Sequence, residues 1–344
     1  MKKFYFSPSE NHRYLMSLTS QSLSYQGDNI EKWQKKLREK LSDLLGMNEF
    51  PKKKTELNPK KLWSKKTKLG TIEKVVFNSE PFSDIPAYIC IPDGIKKPYP
   101  FMICLQGHSS GMHNSINVSE DESRNKKAKG DRDFAISCMK NGFAAICIEQ
   151  RSFGERAEKK QKQAAQWCHD AAMHALMLGR TLMGERVYDV GRTIDYLQQR
   201  GDADMKRIGI MGNSGGGTIT LFSAALMPER IAFAMPSCYF CTFKDSIMSI
   251  YHCADNYIPG LFKYAEMWDI AGLIAPRPLL IVAGKTDPIF PISATKKSFK
   301  KLKEIYRKAT AEHNCKLVIG NEGHRFYAEA AWKAFKQLIK NNYL

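Results

Sequence analysis

Arg207-Ile-Gly-Ile-Met-Gly-Asn-Ser-Gly-Gly-Gly-Thr-Ile-Thr-Leu221 is the stretch on which the reading of this chain turns. Its first residues form a short apolar run suited to a buried strand, and from Gly215 onward Ile219 and Leu221 lead into a helix. Between the two stands Ser214, with Gly212 two places before it and Gly216 two places after. A side chain presented on so sharp a strand-to-helix turn needs very small neighbours, and the helix N-terminus behind it favours developing negative charge. The spacing predicts Ser214 as a nucleophile, against the alternative of a glycine-rich turn without chemistry.

Working outward, residues 101–105, 143–148, 207–211, 231–235, 279–283 and 316–319 read as short apolar strands. Helical segments near 131–141, 162–199, 215–226, 292–308 and 325–341 lie between and after them, the rhythm of parallel β-α-β units. Residues 71–78 and 85–91, joined by a turn containing Pro81 and Asp84, add an antiparallel edge. The expected fold is a mostly parallel, doubly wound sheet of about eight strands with helices on both faces. Upstream, residues 28–45 read as an amphipathic helix with Asp28 as N-cap and Glu31 three residues on, and 52–68 as a basic connector. Residues 1–70 are therefore expected to be a helical, basic extension packed on a catalytic domain spanning 71–344. Segments 108–130 and 237–275 break the rhythm. Each follows a strand, so each is expected to overhang the carboxyl edge of the sheet and shape a substrate pocket.

A serine hydroxyl becomes a nucleophile when a histidine takes its proton, and that histidine needs an acceptor to fix its tautomer. Asp287 follows the apolar run 278–284, and His324 follows the strand at 316–319. Both stand just past a strand exit, in the order serine, acid, histidine. Asp245, Asp255, Asp269 and His252 lack a preceding apolar strand and rank behind them. Two backbone N–H groups should hold the oxyanion: Gly215, and His108 in the turn Gln106-Gly107-His108 after the strand at 101–105. His108 as a side-chain catalyst is the rival to that backbone role.

These residues, with Glu149-Gln-Arg-Ser-Phe-Gly-Glu-Arg156, Gly184-Glu-Arg-Val-Tyr-Asp189 and Ala275-Pro-Arg-Pro278, resemble the acetyl xylan esterase and dienelactone hydrolase-related branch of the α/β-hydrolases over about residues 85–340. The resemblance implies an α/β-hydrolase fold and an esterase for small acyl groups, often acetyl groups on sugars, without metal or organic cofactor. Dienelactone hydrolases proper use a cysteine where this chain has Ser214. The acetyl xylan and cephalosporin deacetylases commonly carry His-Glu and Arg-Gly-Gln where this chain has His324-Arg325 and Arg151-Ser152-Phe153. The expected partner is a small-molecule or carbohydrate ester. An amidase or peptidase with the same three residues is one alternative, and a non-catalytic binder of an anionic polymer is another.

The net charge of +18 raises that second alternative, and residues 1–75 supply half of the excess with 17 Lys and Arg against 8 Asp and Glu. Those lysines alternate with Trp33, Leu37, Leu41 and Leu44, the pattern of a helix with one buried stripe and a solvated basic face, so no nucleic-acid partner is expected. No apolar run approaches the roughly 18 residues of a membrane span, which predicts a cytoplasmic protein without a membrane partner. Nine cysteines, with Cys90, Cys104, Cys138 and Cys147 inside apolar runs, suggest thiols in a reducing compartment. Cys238, Cys241, His252 and Cys253 could gather around zinc, but lack cleanly repeated ligand pairs and read better as buried or pocket-lining thiols, so no metal is expected.

Overall fold

The structure, a computed structural model, describes residues 4–27, 29–108, 110–158 and 168–343. In chain order the strands are β1 (Lys60–Lys66), β2 (Gly70–Glu80), β3 (Ser83–Pro92), β4 (Tyr99–Leu105), β5 (Ala144–Ile148), β6 (Ala203–Asn213), β7 (Phe233–Ser237), β8 (Leu279–Gly284) and β9 (Cys315–Gly320). The helices are α1 (Pro8–Leu18), α2 (Ile30–Leu44), α3 (Phe134–Lys140), α4 (His169–Met177), α5 (Leu182–Arg200), α6 (Gly215–Leu226), α7 (Met267–Gly272), α8 (Ile292–Lys308) and α9 (Ala328–Tyr343). All the strands join one sheet in the order β1-β2-β3-β5-β4-β6-β7-β8-β9. From β5 to β9 neighbours run parallel, and β1, β2, β3 and β5 pair antiparallel. This is the mostly parallel α/β-hydrolase sheet the sequence implies.

Alternation along the strands divides the core. Phe101, Ile103 and Leu105 of β4 face the layer holding α2, α5, α6, α7 and α8, whereas Met102 and Cys104 face α3 and α9. The strand that sequence reading missed is β1. Lys-Lys-Leu-Trp-Ser-Lys-Lys carries no apolar period, and only Trp63 is half-buried while its neighbours are exposed. Lysines on an outermost strand discourage further pairing, so the edge position itself erased the pattern that reveals strands.

Three helical expectations are corrected. The cap of α2 is Asn29, whose Oδ1 accepts the Lys32 N–H at 2.9 Å; Asp28 lies outside the described residues. The long helix expected over 162–199 is divided into α4 and α5 by the turn at Gly179 (φ 77°), and Thr181 caps α5 by accepting the Gly184 N–H at 2.9 Å; residues 159–167 are outside the described set. Within 237–275, α7 belongs to the core, because Met267, Ile270 and Ala271 are buried there.

The N-terminal residues are tied to the sheet domain by polar contacts as well as by the buried Trp33, Leu37 and Leu41 stripe of α2. Arg38 donates to the carbonyls of Ala225 (2.9 Å) and Leu273 (3.1 Å), satisfying groups left open at the ends of α6 and α7. Ser24 Oγ and the Tyr25 N–H both donate to Asp269 Oδ1, at 3.1 and 3.0 Å. Asp269, one of the competing acids, thus serves as an anchor. No helix among the described residues is long and apolar enough to cross a membrane.

Candidate active site

Ser214 sits between β6 and α6 with φ 58° and ψ −123°, a conformation that non-glycine residues rarely hold without a functional reason. Its N–H donates to the Ser237 carbonyl at the end of β7 (2.9 Å), which pins the turn to the neighbouring strand. The flanking glycines are required by contact. A Cβ on Gly212 would lie 2.5 Å from the Gly216 backbone, and one on Gly216 would lie 2.1 Å from the Leu105 carbonyl oxygen. The loop after β4 presses on the same turn, since a Cβ on Gly107 would meet Ser214 Cβ at 2.9 Å and lie 3.5 Å from the Gly215 nitrogen. The backbone at 107–108 therefore adjoins the Gly215 N–H.

Asp287 follows β8 and His324 follows β9, and His324 Nδ1 lies 2.8 Å from Asp287 Oδ2. The other carboxylate oxygen accepts the N–H groups of Ile289 (2.9 Å) and Phe290 (3.2 Å). Burial alone would raise the Asp287 carboxyl; the His324 bond and charge, helped by the two N–H groups, outweigh it and hold the group below the ordinary aspartate range. His324 rests against the Phe290 ring, 5.9 Å between centroids, and lines with Ser214 a pocket of about 240 Å³.

That pocket opens beside a larger cleft of about 1070 Å³, which Ser214 and Gly215 also line. Both irregular segments contribute to its walls, the first through His113, Lys126 and Lys129, the second through Tyr251, His252 and Cys253. His252 is pushed below the usual histidine range by burial first and by the charge of His108 second.

Sequence reasoning did not foresee a second histidine–carboxylate pair. His108 Nε2 lies 3.0 Å from both oxygens of Asp255, which also accepts a 2.5 Å bond from Arg186 Nη1. Burial would raise the Asp255 carboxyl, but Arg186 and His108 overcome it and hold the group at about 2. The His108 ring packs on Phe153 at 5.0 Å, and a Cβ on Gly215 would lie 3.0 Å from its Nδ1. One signal was available. Arg186 falls on the stripe Met183, Val187, Val190, Ile194 that buries α5, and a charge on an apolar face requires a buried partner. Of the other competing acids, Asp245 is exposed and bonded to Thr242 Oγ1 at 2.7 Å.

The segment 149–156 braces the site. Glu149, pushed up to about 8 by burial, accepts the N–H groups of Met112 and Glu155, and Gln150 donates to the Gln106 carbonyl at 2.5 Å. Arg151 grips both oxygens of the buried Asp189, at 2.9 and 3.0 Å, and Arg156 adds a third bond at 2.7 Å.

The cysteine reading needs correction at one pair, because Cys168 and Cys253 form a disulfide. Cys253 is therefore neither a thiol nor a zinc ligand, and Cys241 contacts the Pro291 carbonyl, away from such a set. Cys238, Asp287 and His324 do bring donor atoms within 4.8 Å of one another. The Cys238 thiol, however, donates to the Arg325 carbonyl at 3.1 Å and is pushed up to about 12 by burial and then by Asp287, which disfavours the thiolate a metal would need.

A family model described as the Abhydrolase family matches residues 15–338, and the chain belongs to that family. YtaP of Bacillus subtilis (strain 168), a protein named as a hydrolase, is 25% identical over 257 residues, covering 74% of this chain and 82% of YtaP. Among solved structures, BF1801 of Bacteroides fragilis NCTC 9343, described as an acetyl xylan esterase, superposes with a TM-score of 0.77 at 17% identity, covering 97% of this chain and 90% of that one. A glucuronoyl esterase from Solibacter usitatus gives a TM-score of 0.64 at 14% identity, covering 95% and 100%. At those identities the likeness is one of fold. The family match and the shared fold agree with the α/β-hydrolase fold expected from the sequence.

Proposed function

We propose that the chain is a serine carboxylesterase acting on small acyl esters, with acylated carbohydrates as its substrate class. The observation that carries this reading is His324, held by Asp287 at 2.8 Å and lining one pocket with Ser214 on its strained turn. Asp287 fixes His324 with Nδ1–H as donor, which leaves Nε2 to take the Ser214 proton. The serine oxygen then adds to the ester carbonyl, and the N–H groups of Gly215 and His108 stabilise the oxyanion. Collapse expels the alcohol, protonated by His324; water activated by the same ring then releases the acid and restores Ser214.

BF1801, named as an acetyl xylan esterase, and the Solibacter protein, named as a glucuronoyl esterase, favour the carbohydrate side of this reading over amide cleavage. A fluorophosphonate probe followed by peptide mapping should mark Ser214 alone, and short acyl esters, including acetylated xylo-oligosaccharides, should turn over faster than aminoacyl anilides. Labelling that persists in Ser214→Ala would remove the nucleophile assignment. Faster anilide cleavage would replace esterase with amidase.

A further inference from the structure

The pocket shared by Ser214 and His324 is lined by Lys129, Arg132 and Arg325 and by no carboxylate. Arg325 is neutralised by Asp131 at 2.7 Å and Glu322 at 3.0 Å. The other arginines around the site are matched too, Arg186 by Asp255 and Arg151 by Asp189. Arg132 differs. It is half-buried, its Nε donates to the Lys129 carbonyl at 3.0 Å, its own carbonyl accepts from Gln106 Nε2 at 2.8 Å, and among the described residues no acid pairs with it. Burial lowers its pKa with no neighbouring charge acting in the other direction. A partly desolvated guanidinium without a counterion costs free energy, and that cost is offset when an anion arrives. Its two terminal nitrogens match the two oxygens of a carboxylate. In the adjoining cleft, Lys126 and Lys127 add positive charge against the single acid Glu120.

We propose that this pocket is a carboxylate-recognition subsite and that the substrate is an ester whose alcohol part carries a carboxylate, held by Arg132 with Lys129 beside it. The assignment to the alcohol part rests on the serine-esterase reading above: the leaving oxygen must reach His324 to be protonated, and His324 lines this pocket. An acylated uronic acid or other acylated hydroxy acid has the required chemistry.

The test compares two monoacetates of one ring, acetylated methyl glucoside and acetylated methyl glucuronide, which differ in having CH2OH or carboxylate. Wild type should prefer the uronide in kcat/KM by about tenfold or more, the order expected of a charge-assisted bond. Arg132→Gln should collapse that ratio toward one, and Arg132→Lys, which keeps the charge without the fork, should fall between. A wild-type preference for the glucoside would overturn the proposal, as would an Arg132→Gln loss shared equally by both esters. A second measurement separates this subsite from the esterase reading: calorimetric binding of unacetylated methyl glucuronide to Ser214→Ala, with and without Arg132→Gln. Arg132-dependent binding without turnover of either ester by wild type would retain the subsite and sink the esterase. Binding indifferent to Arg132 would sink the subsite whatever the turnover.

Discussion

Two histidines line the pocket of Ser214, each backed by a buried aspartate, and the two pairs are electrically unlike. Asp255 is already balanced by Arg186 at 2.5 Å before His108 adds its bond, so a cation forming on His108 would gain little from it. Around Asp287 stand His324, two backbone N–H groups and the Cys238 thiol, and among the described residues no arginine or lysine pairs with it, which leaves its charge available to a developing imidazolium. The free nitrogens differ as well. Asp287 takes Nδ1 of His324 and leaves Nε2, while Asp255 takes Nε2 of His108 and leaves Nδ1 enclosed against Gly215. Their supports differ too, since Asp287 and His324 follow the ends of adjacent parallel strands, whereas Asp255 lies in a single helical turn fastened two residues away by the Cys168–Cys253 disulfide. On the proposed mechanism, the uncommitted charge of Asp287, and not closeness to Ser214, sets the two pairs apart.

The comparison breaks most severely if Ser214 is not the centre of both pairs. Ser214→Ala should lower kcat on the order of 10⁶-fold toward a short acyl ester while the melting temperature stays within about 2 °C of wild type. A matching loss of stability would make Ser214 a structural residue. Asp287→Asn should keep the shape of the pair but favour the wrong tautomer, lowering kcat on the order of 10⁴-fold with partial recovery at high pH. A near-normal rate would transfer the role to another acid.

For Asp255→Asn the expected loss lies in stability. Removing the carboxylate leaves the Arg186 guanidinium buried without its counter-charge, which should cost about 3 kcal/mol in urea unfolding, while kcat of the folded enzyme falls no more than about tenfold. The exposed Asp245 provides the reference, and Asp245→Asn should move stability by less than about 0.5 kcal/mol. A drop in kcat to the Asp287→Asn level at unchanged stability would mean that His108 and Asp255 do the proton transfer.

The contrast also explains what could be read from the sequence. Asp287 and His324 were legible because each follows a buried strand whose apolar run marks where the chain leaves the sheet, and Ser214 because its flanking glycines answer a contact with Leu105. His108 could be placed after β4, with a backbone role weighed against a side-chain one, but its partner Asp255 could not be found, because Asp255 is distant in sequence and has no strand before it. Pairing across such a loop depends on how the segment folds back, which periodicity does not encode. The same limit hid the Cys168–Cys253 link, closed across 85 residues, and the absence of an acidic partner for Arg132. The strand β1 escaped for the opposite reason: its lysines face solvent on nearly every side, so burial left no trace in its composition.

A smaller shift at Asp255 than its full loss separates a carboxylate spent on Arg186 from the one proposed for catalysis, by its pH dependence. Asp255 titrates at about 2 in the folded protein, below the roughly 3.9 of an unfolded aspartate, so its contribution to stability is fully present above pH ~4 and fades as pH falls through ~2. Protonated Asp255 and asparagine are alike in charge, and both leave Arg186 uncompensated. The stability gap between wild type and Asp255→Asn should therefore narrow by on the order of 2 kcal/mol between pH ~4 and ~2, with both proteins losing ground there for other reasons. Measuring both by urea unfolding at matched ionic strength cancels those shared losses. A gap that stays constant over this window would mean that Asp255 does not carry its charge against Arg186 in the folded state, and the distinction between a spent carboxylate at 255 and an available one at 287 would lose its electrostatic basis.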